Sequence, residues 1–252
     1  MNPNFPGRFL NQVAVVTGAA TGLGQAIATR LLAEGAVVWF LDRDAAQVEA
    51  AVAQAGPGAH ALCGDVTDEG WVAEAIARAT QGSGRLDILV NSAGIVGPNN
   101  RRVADTPTEG FRQVFAVNLL GSFLVMKAAL PVMERQHYGR VLMIASIAGK
   151  EGNAGMCSYS AMKAGVIGLV KSAGKEYAET GVTVNALAPA VIRTNLVEAM
   201  DPQQVRYMTD RIPMKRCGTL AEVAALACWI VSPEASFNTG FVFDLTGGRA
   251  VY

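Results

Sequence analysis

The sequence predicts an α/β fold: a single domain with a doubly wound parallel sheet of about seven strands and helices on both faces. Short apolar runs alternate with helical stretches along nearly the whole chain, and a glycine-rich turn follows the first run. Strands that alternate with helices form parallel sheets covered on both faces. The 252 residues, of which 51% are hydrophobic, suffice for the core of one large domain.

The predicted strands are short and apolar. In chain order they are Val13–Thr17, 36–41, 60–63, 86–90, 140–145, 182–187 and 241–244. The predicted helices lie between them: one from the glycine-rich turn through residue 34, then 44–54, 67–80, Thr108–Arg135, 157–179 and 220–231. Thr67 and Asp68 are both suitable N-caps for the third helix, because a short side chain with an oxygen can accept a bond from a free first-turn amide.

Two stretches fall outside this regular pattern. Residues 190–217 are rich in methionine, proline and charge, and a long irregular stretch inside a compact domain is often a substrate lid. Residues 1–9 are polar and contain two prolines, which predicts an N-terminal tail. They lack the apolar segment of a signal peptide. No run of 18 apolar residues occurs, so we expect no membrane span.

The composition argues against several classes of function. The formal net charge is zero, so the basic surface of a nucleic-acid-binding protein is not expected. The four cysteines are scattered without a Cys-x-x-Cys pair, which predicts free thiols, a reducing cytoplasmic location and no metal site. The two histidines, His60 and His137, lie far apart and away from the motifs below, so a histidine-based triad is not expected.

The glycine-rich turn predicts a phosphate site. The first strand runs into Thr17-Gly18-Ala19-Ala20-Thr21-Gly22-Leu23-Gly24, which opens the following helix. Glycines let the backbone approach a ligand closely, and the free amides of a helix N-terminus attract a pyrophosphate. We therefore predict that a dinucleotide cofactor is contacted by Gly18, Thr21, Gly22, Leu23 and Gly24.

Asp42 predicts which dinucleotide is used. It ends the second strand, 18 residues after Gly24. A carboxylate at this place accepts hydrogen bonds from an adenosine ribose and repels a 2′-phosphate, which favours NAD over NADP. Arg43 follows directly, and an arginine near this position can accommodate that phosphate. Some use of NADP therefore stays open.

Tyr159 and Lys163 together predict proton transfer. They are four residues apart, and on a helix such positions share one face. A phenol has an ordinary pKa of about 10, and a neighbouring ammonium favours the phenolate. A tyrosine placed in this way can take a proton from an alcohol or return one to a carbonyl.

In their order and spacing, the motifs resemble those of the short-chain dehydrogenase/reductase family, from about Gln12 to the C-terminus. They are Thr17-Gly18-x-x-x-Gly22-x-Gly24, Asp65-Val66, Asn91-Ser92-Ala93-Gly94, Asn118, Ser146, Tyr159-x-x-x-Lys163 and the stretch from Pro189 to Thr194. The resemblance implies a Rossmann-like fold and a nicotinamide-dependent oxidoreductase acting on a CH–OH group. Two positions depart from the family pattern. Ser92 replaces an asparagine, and Ala190 replaces a turn glycine and must avoid a positive φ.

The same resemblance implies a role for each matching residue. Tyr159 is the general acid/base, and Lys163 holds the nicotinamide ribose and lowers the pKa of Tyr159. Ser146 bonds the reacting oxygen, and Asn118 kinks the long helix and helps to hold a water in a proton relay. The other implied cofactor contacts are Asp65 and Val66 at the adenine, Asn91, Ala93 and Gly94 along the cofactor, and Pro189, Ile192 and Thr194 near the nicotinamide.

Two segments, 146–153 and 244–252, also resemble a subgroup, the 2-keto-3-deoxy-L-fuconate and L-rhamnonate 4-dehydrogenases. This resemblance implies NAD-dependent oxidation of the C4 hydroxyl of a 2-keto-3-deoxy sugar acid. A cation must then meet the substrate carboxylate; the candidates, in order, are Lys150, Arg249 and Arg193. Asn153 is a candidate partner for a sugar hydroxyl. An adaptable apolar wall could come from Met156, Met200 and Met208.

Other interpretations stay open. A 3-oxoacyl-carrier-protein reductase would use NADPH and a basic docking surface, for which Arg101-Arg102 is the candidate, but Asp42 argues against it. A polyol or secondary-alcohol dehydrogenase would need no cation for its substrate. A dinucleotide-binding sensor would need neither Tyr159 nor Lys163. The long amphipathic helices offer faces for subunit pairing, and the family resemblance implies a homotetramer.

Overall fold

Seven parallel strands form one sheet in the part of the chain that the computed structural model describes, residues 5–199, 201–250 and 252. They are β1 (Val13–Thr17), β2 (Val37–Asp42), β3 (Ala59–Cys63), β4 (Ile88–Asn91), β5 (Gly139–Ile144), β6 (Val182–Pro189) and β7 (Val242–Leu245). Their order across the sheet is β3-β2-β1-β4-β5-β6-β7, and every neighbouring pair is parallel. The predicted doubly wound fold is confirmed.

The helices connect these strands and cover both faces of the sheet. They are α1 (Gly22–Ala33), α2 (Ala45–Ala55), α3 (Glu69–Thr80), α4 (Thr108–Val114), α5 (Gly121–Arg135), α6 (Ile147–Glu151), α7 (Cys157–Glu176), α8 (Asn195–Glu198), α9 (Pro202–Asp210) and α10 (Leu220–Ile230). Asp68, rather than Thr67, caps α3, because its carboxylate accepts a bond from the amide of Trp71 at 3.0 Å.

Each face of the sheet has its own hydrophobic core. Helices α1, α2 and α10 bury Ile27, Val48 and Val223 on one face, and helices α3, α5 and α7 bury Val125 and Val166 among others on the second face. Strands β1 and β6 lie between the two layers and are buried at every position. This two-sided burial explains why the strands read as continuous apolar runs rather than as alternating patterns.

The strand order changes direction at β1 and β4, which are neighbours in the sheet. Val15 of β1 lies beside Trp39 of β2 on one side and beside Leu89 of β4 on the other. Successive strands are added outward from β1 toward β3, and then outward from β4 toward β7. In doubly wound sheets, ligands bind in the crevice that this reversal opens at the carboxyl ends of the strands.

The predicted long helix Thr108–Arg135 is interrupted. A π-helical turn, Phe115–Leu120, separates α4 from α5. Its fully buried Asn118 accepts a bond from the amide of Ile95 at 2.8 Å and donates one to the carbonyl oxygen of Ile95 at 2.9 Å. Such turns inside α-helices are frequent at functional sites. Asn118, where a kink was expected, lies within this turn.

Within the described residues, Thr108–Arg135 is also the one helical stretch long and apolar enough to cross a membrane, judged by length and composition alone. A buried core helix passes the same test, so the expectation of no membrane span stays a prediction. Half of its most apolar window is buried inside the protein, and α5 packs Val125, Leu130 and Met133 into the core of the sheet. Its packing is that of a core helix.

The predicted lid, 190–217, is more regular than expected. It contains α8 and α9, and Asp201 caps α9 by accepting a bond from the amide of Gln203 at 2.7 Å. An isolated parallel bridge between Ile192 and Gly218 holds the two ends of the lid together. Ala190 is not among the described residues with a positive φ. The alanine that replaces the family's glycine is therefore accommodated without backbone strain.

The predicted N-terminal tail is shorter than 1–9. Residues 1–4 lie outside the described residues. Phe9 is fully buried in the core, and Arg8 forms an ion pair with the buried carboxylate of Glu34 at 2.5 Å. These contacts make Arg8 and Phe9 part of the domain, which corrects the prediction.

Candidate active site

A cleft of about 850 Å³ runs along the carboxyl ends of the strands. Its lining brings together loops that follow β1, β2, β3, β4, β5 and β6. Most of the predicted cofactor and catalytic residues line it: Gly18, Thr21, Gly22, Leu23, Asp42, Arg43, Asp65, Val66, Ala93, Gly94, Ser146, Tyr159, Lys163, Pro189, Ile192 and Thr194. Three others, Gly24, Asn91 and Asn118, are buried beneath the lining.

The glycine-rich turn leaves no room for side chains at two of its positions. A Cβ on Gly24 would lie 2.1 Å from the carbonyl oxygen of Gly18, and one on Gly18 would lie 2.8 Å from the amide nitrogen of Ala93. Gly22 differs, because its φ is +58° and no described atom lies within 4 Å of the place its Cβ would take. The backbone at the start of α1 therefore faces open space, as a phosphate cradle requires.

Asp42 is held at the side of the cleft by two backbone amides. The amide of Ala20 donates to its Oδ2 at 3.1 Å, and the amide of Asp44 donates to its Oδ1 at 3.2 Å. The two bonds orient this carboxylate at the place where an adenosine ribose is expected. Arg43 is exposed beside it and also lines the cleft.

A buried chain of hydrogen bonds lies under the cleft and was not predicted. Thr17 Oγ1 donates to Asn91 Oδ1 at 2.5 Å and accepts from the amide of Ala93 at 3.2 Å. Asn91 Nδ2 donates to Ser122 Oγ at 2.8 Å, and Ser122 Oγ donates to the carbonyl oxygen of Asn118 at 2.6 Å. The Asn91 side chain thus links β1, β4 and α5, and the predicted cofactor contact of this residue stays a prediction.

Ser146 and Tyr159 meet at the wall of the cleft. Ser146 follows β5 and caps α6, and its Oγ accepts a bond from the amide of Ala148 at 3.1 Å. Tyr159 lies in the first turn of α7 and shares a side-chain hydrogen bond with Ser146. Burial raises the pKa of the Tyr159 phenol above its ordinary value, and the hydrogen bond with Ser146 opposes that rise.

Lys163 lies one turn further along α7, below Tyr159. Its Nζ is 5.8 Å from the centre of the Tyr159 ring and donates a hydrogen bond to the carbonyl oxygen of Ile144 at 2.6 Å. The residue is 4% exposed, and burial lowers the pKa of its ammonium from 10.5 to about 8. Lys163 is therefore still mostly charged at neutral pH.

The sequence predicted that the pKa of Tyr159 is lowered. The groups of the protein alone raise it instead. Burial is the larger influence on this phenol, and burial raises its pKa. The same burial weakens the charge on Lys163. Removal from water disfavours every charged form, and the argument from residue spacing left this cost out. A lower phenol pKa needs a further positive charge in the site.

Lys150, Asn153 and Arg249, which were predicted to contact substrate, are not among the residues that line the cleft. Lys150 forms an ion pair with Asp244 at 2.7 Å, and Arg249 forms one with Glu151 at 2.8 Å. Arg249 also donates to Asn153 Oδ1 at 3.2 Å. Both cations form ion pairs within the chain, and their assignment to a substrate carboxylate stays a prediction.

The other described substrate candidates are not among the residues that line the cleft either. Arg193 lines a smaller cavity of about 340 Å³ together with Arg206 and Cys217. Met156 and Met208 do not line either cavity, and Met200 lies outside the described residues. Among the residues that the structure describes, no group of three or more His, Cys, Asp or Glu is placed to hold a metal ion.

Sequence reasoning predicted no ligand contact for the other residues that line the cleft. They are Gln25, Leu41, Gln47, Gly64, Ser92, Ile95, Val96, Val117, Ile144, Ala145, Ala190 and Leu220. Most are ordinary apolar positions at strand ends or in loops, and no local pattern separates them from core residues. Ser92 and Ile95 follow a strand that ends at the cleft, and this position was the one available signal.

Comparison with known proteins decides the family. A short-chain dehydrogenase family model, described as enoyl-(acyl carrier protein) reductase, matches residues 18–249. The chain belongs to the short-chain dehydrogenase/reductase family. The resemblance inferred from the motifs is thereby confirmed, and so is the predicted enzyme class, an oxidoreductase.

Curated relatives match over almost their whole length. A 2-dehydro-3-deoxy-L-rhamnonate dehydrogenase (NAD(+)) of Sphingomonas sp. (strain SKA58) is 42% identical over 98% of this chain and 99% of its own. The levodione reductase of Leifsonia aquatica is 36% identical over 96% of both chains. The 3-oxoacyl-(acyl-carrier-protein) reductase of Escherichia coli (strain K12) is 34% identical over 95% of this chain and 98% of its own.

One solved structure is closely similar to this chain. It is the crystal structure of NAD+-bound xylitol dehydrogenase, with a TM-score of 0.91 and 30% sequence identity. The match covers 95% of this chain and 99% of the other. The described sheet and its surrounding helices are therefore those of a nicotinamide-dependent dehydrogenase fold.

Proposed function

We propose that this protein is a NAD-dependent dehydrogenase that oxidises the C4 hydroxyl group of a 2-keto-3-deoxy sugar acid. The observation that carries the enzymatic part is the meeting of Ser146, Tyr159 and Lys163 at the β5 side of the cleft. Asp42 ends β2, which is the third strand from β5 across the sheet. The substrate part is supported by the 42% identity with the L-rhamnonate-type dehydrogenase.

The residues of the cleft fit NAD. Gly22 faces open space at the start of α1, where free amides attract a pyrophosphate. The oriented carboxylate of Asp42 favours an unphosphorylated ribose over a 2′-phosphate. A Cβ on Gly94 would lie 3.3 Å from Asn118 Oδ1 and 3.6 Å from Lys163 Nζ, so a glycine keeps the approach to Lys163 open. When bound, NAD supplies the hydride acceptor and a positive charge in the site.

The chain's own residues move the proton. Tyr159 takes the hydroxyl proton of the substrate as its general base, while Ser146, bonded to Tyr159, orients the reacting oxygen. Lys163 keeps a positive charge below the phenol and is itself fixed by its bond to Ile144. In the reverse reaction, Tyr159 returns the proton to the carbonyl oxygen. A positioned acid/base of this kind contributes about 10²–10⁴ to the rate.

The positions of the cations that line the cleft favour one second candidate function. Among the described lining residues, the side-chain cations are Arg43, beside Asp42, and Lys163, whose Nζ is bonded to Ile144. Neither is placed for a substrate carboxylate. A polyol or secondary-alcohol dehydrogenase needs no such cation, and the similarity to xylitol dehydrogenase supports this alternative.

Two further alternatives have less support. A 3-oxoacyl-carrier-protein reductase that uses NADPH is disfavoured by Asp42, and the relative of that activity from Escherichia coli has lower identity, 34% against 42%. A dinucleotide-binding sensor would not need Tyr159 and Lys163 to share one face of α7 beside Ser146.

The test is the initial rate of NADH formation with 2-keto-3-deoxy sugar acids, neutral polyols and secondary alcohols, with NADP in parallel. Turnover of a keto-deoxy acid with NAD, lost in Tyr159→Phe, supports the proposal. Turnover of neutral alcohols alone moves the polyol dehydrogenase to first place. Preference for NADP overturns the assignment of Asp42 and favours the thioester reductase.

We also propose that the protein forms a homotetramer in the cytoplasm. Phe111 of α4, Phe115 of the π-helical turn and Phe123 of α5 are 39%, 43% and 43% exposed. An apolar helix face of this kind suits pairing between copies of one chain. The four cysteines are free thiols, which fits a reducing compartment. Light scattering at several protein concentrations gives the oligomeric state, and Phe115→Lys should lower it.

A further inference from the structure

The end of the chain is bound to helix α6 by two ion pairs of opposite polarity. Lys150 and Glu151 are the last residues of α6, and their partners are Asp244 on β7 and Arg249 beyond it. The side chains of Lys150 and Arg249 are only 8% and 9% exposed. A charge so far removed from water needs its partner. Tyr252 adds bonds to both the ammonium and the carbonyl oxygen of Lys150.

These contacts continue toward the catalytic helix α7. Arg249 donates a bond to Asn153 Oδ1 at 3.2 Å, and the backbone amide of Asn153 donates to Ser160 Oγ at 3.0 Å. Ser160 is the residue next to Tyr159 in the first turn of α7. The loop between α6 and α7 is therefore held to the end of the chain and to the catalytic helix at the same time.

Helix α6 has little stability of its own. It has five residues, Ile147–Glu151, and Gly152 ends it with a φ of +73°. A helix this short does not form without tertiary contacts. Ser146 caps its first turn, so a displacement at its last residues also moves the Ser146 hydroxyl relative to Tyr159. Catalytic groups displaced by about 1 Å can lose about 100-fold in rate.

We infer that Asp244 and Arg249 are positioning residues, which hold α6 through Lys150 and Glu151 so that Ser146 meets Tyr159. We call this set of four residues the C-terminal clamp. The inference rests on the proposed function, because its catalytic consequence is a change in dehydrogenase turnover. It gives Lys150 and Arg249 a role different from the one that the sequence suggested.

A charge-swap cycle tests the clamp. Glu151→Arg and Arg249→Glu each place two like charges together, and the double variant restores an opposite-charge pair with its polarity reversed. We expect each single variant to lower kcat about 10- to 100-fold, with KM for NAD within about twofold of the wild type. The double variant should recover about tenfold or more of kcat, because the two sites couple.

The control is Lys127→Gln, which breaks a surface ion pair with Glu69 at 2.7 Å, against 2.8 Å for Glu151 and Arg249. It should leave kcat unchanged. Should a single variant fail to fold, Arg249→Gln and Glu151→Gln replace the reversals. Unchanged kcat in the single variants, or a double variant that recovers thermal stability without recovering kcat, overturns the inference.

Hydrogen–deuterium exchange provides a readout that does not depend on turnover. Exchange in peptides that cover 146–153 should accelerate in each single variant and slow again in the double variant. If the wild type oxidises no substrate while this exchange pattern is seen, the proposed function fails. The C-terminal clamp is then supported as a set of contacts that stabilises α6. If the wild type is active and exchange at 146–153 does not respond, the clamp fails and the proposed function stands.

Discussion

Lys163 Nζ lies 2.6 Å from the carbonyl oxygen of Ile144 and donates a hydrogen bond to it. This bond fixes the catalytic helix α7 to the end of strand β5, directly before the segment that carries Ser146. It also holds an ammonium in a place that is 4% exposed. The charge on Lys163, which the proposed reaction uses, is therefore kept at a cost to the stability of the fold.

The lowered pKa of Lys163 predicts how the stability of the fold depends on pH. The pKa of Lys163 is about 8 in the folded protein, against an ordinary 10.5. Between these two values the unfolded chain binds a proton that the folded chain has released, so the free energy of unfolding rises with pH. We expect the wild type to gain about 3 kcal/mol relative to Lys163→Met over this range.

Urea unfolding of both proteins at several pH values between 7 and 10.5 measures this difference. Groups other than Lys163 titrate in both proteins and cancel in the comparison. A difference that stays constant or falls with pH would contradict the prediction. Lys163→Met should also lack dehydrogenase activity at every pH tested, because it removes the cation below Tyr159.

Tyr159→Phe should remove turnover while cofactor binding persists. The substitution deletes one hydroxyl group, and the glycine-rich turn and Asp42 are untouched. We expect kcat to fall about 10²- to 10⁴-fold. The dissociation constant for NADH, measured by fluorescence titration, should stay within about threefold of the wild type. Equal losses of turnover and cofactor affinity would show that Tyr159 acts mainly in binding.

Ser146→Ala should move the pH profile of the oxidation reaction to higher pH. The hydrogen bond from Ser146 opposes the rise in the Tyr159 pKa that burial causes. Without it the pKa of Tyr159 is higher, so the phenolate forms only at higher pH. We expect the ascending limb of kcat/KM for the alcohol to shift toward alkaline pH and its plateau to fall. A limb at unchanged or lower pH would argue against the Ser146–Tyr159 bond in catalysis.

Asp42→Ser should relax the preference for NAD. The substitution removes the carboxylate that two backbone amides hold at the end of β2. We expect kcat/KM with NAD to fall about tenfold and kcat/KM with NADP to rise by a similar factor, since each 1.4 kcal/mol of binding energy is tenfold. Combining it with Arg43→Ala should abolish the gain with NADP if Arg43 receives the 2′-phosphate. A retained gain would assign that phosphate to another group.

Gly24→Ala should disrupt the cofactor turn. The new Cβ would lie 2.1 Å from the carbonyl oxygen of Gly18, so the backbone must move. We expect loss of NADH binding and a fall in the thermal midpoint of several degrees. Gly168→Ala on α7 is the matched control, because its Cβ would meet no described atom within 4 Å. That variant should bind NADH normally and be more stable by about 0.5–1 kcal/mol.

The features that the sequence predicted well are local ones. Strand β1 was predicted at its observed bounds, because both of its faces are buried and its apolar run is continuous. The glycine turn from Gly18 to Gly24 and the pair Tyr159 and Lys163 lie within one turn or one helix. The geometry of each follows from backbone conformation and helical spacing. The fold then brings the glycine turn and the Tyr159–Lys163 pair to one cleft.

What the sequence alone determined is therefore the family and the strand and helix pattern, and it also named the candidate reacting groups. The tertiary structure decided which partner each charge finds. Lys150 pairs with Asp244 across 94 residues, and Thr17 bonds to Asn91 across 74. It also decided the pKa of Tyr159, because burial depends on every layer packed around the phenol. Periodicity and spacing describe neighbours along the chain, whereas ion pairing and desolvation depend on neighbours in space.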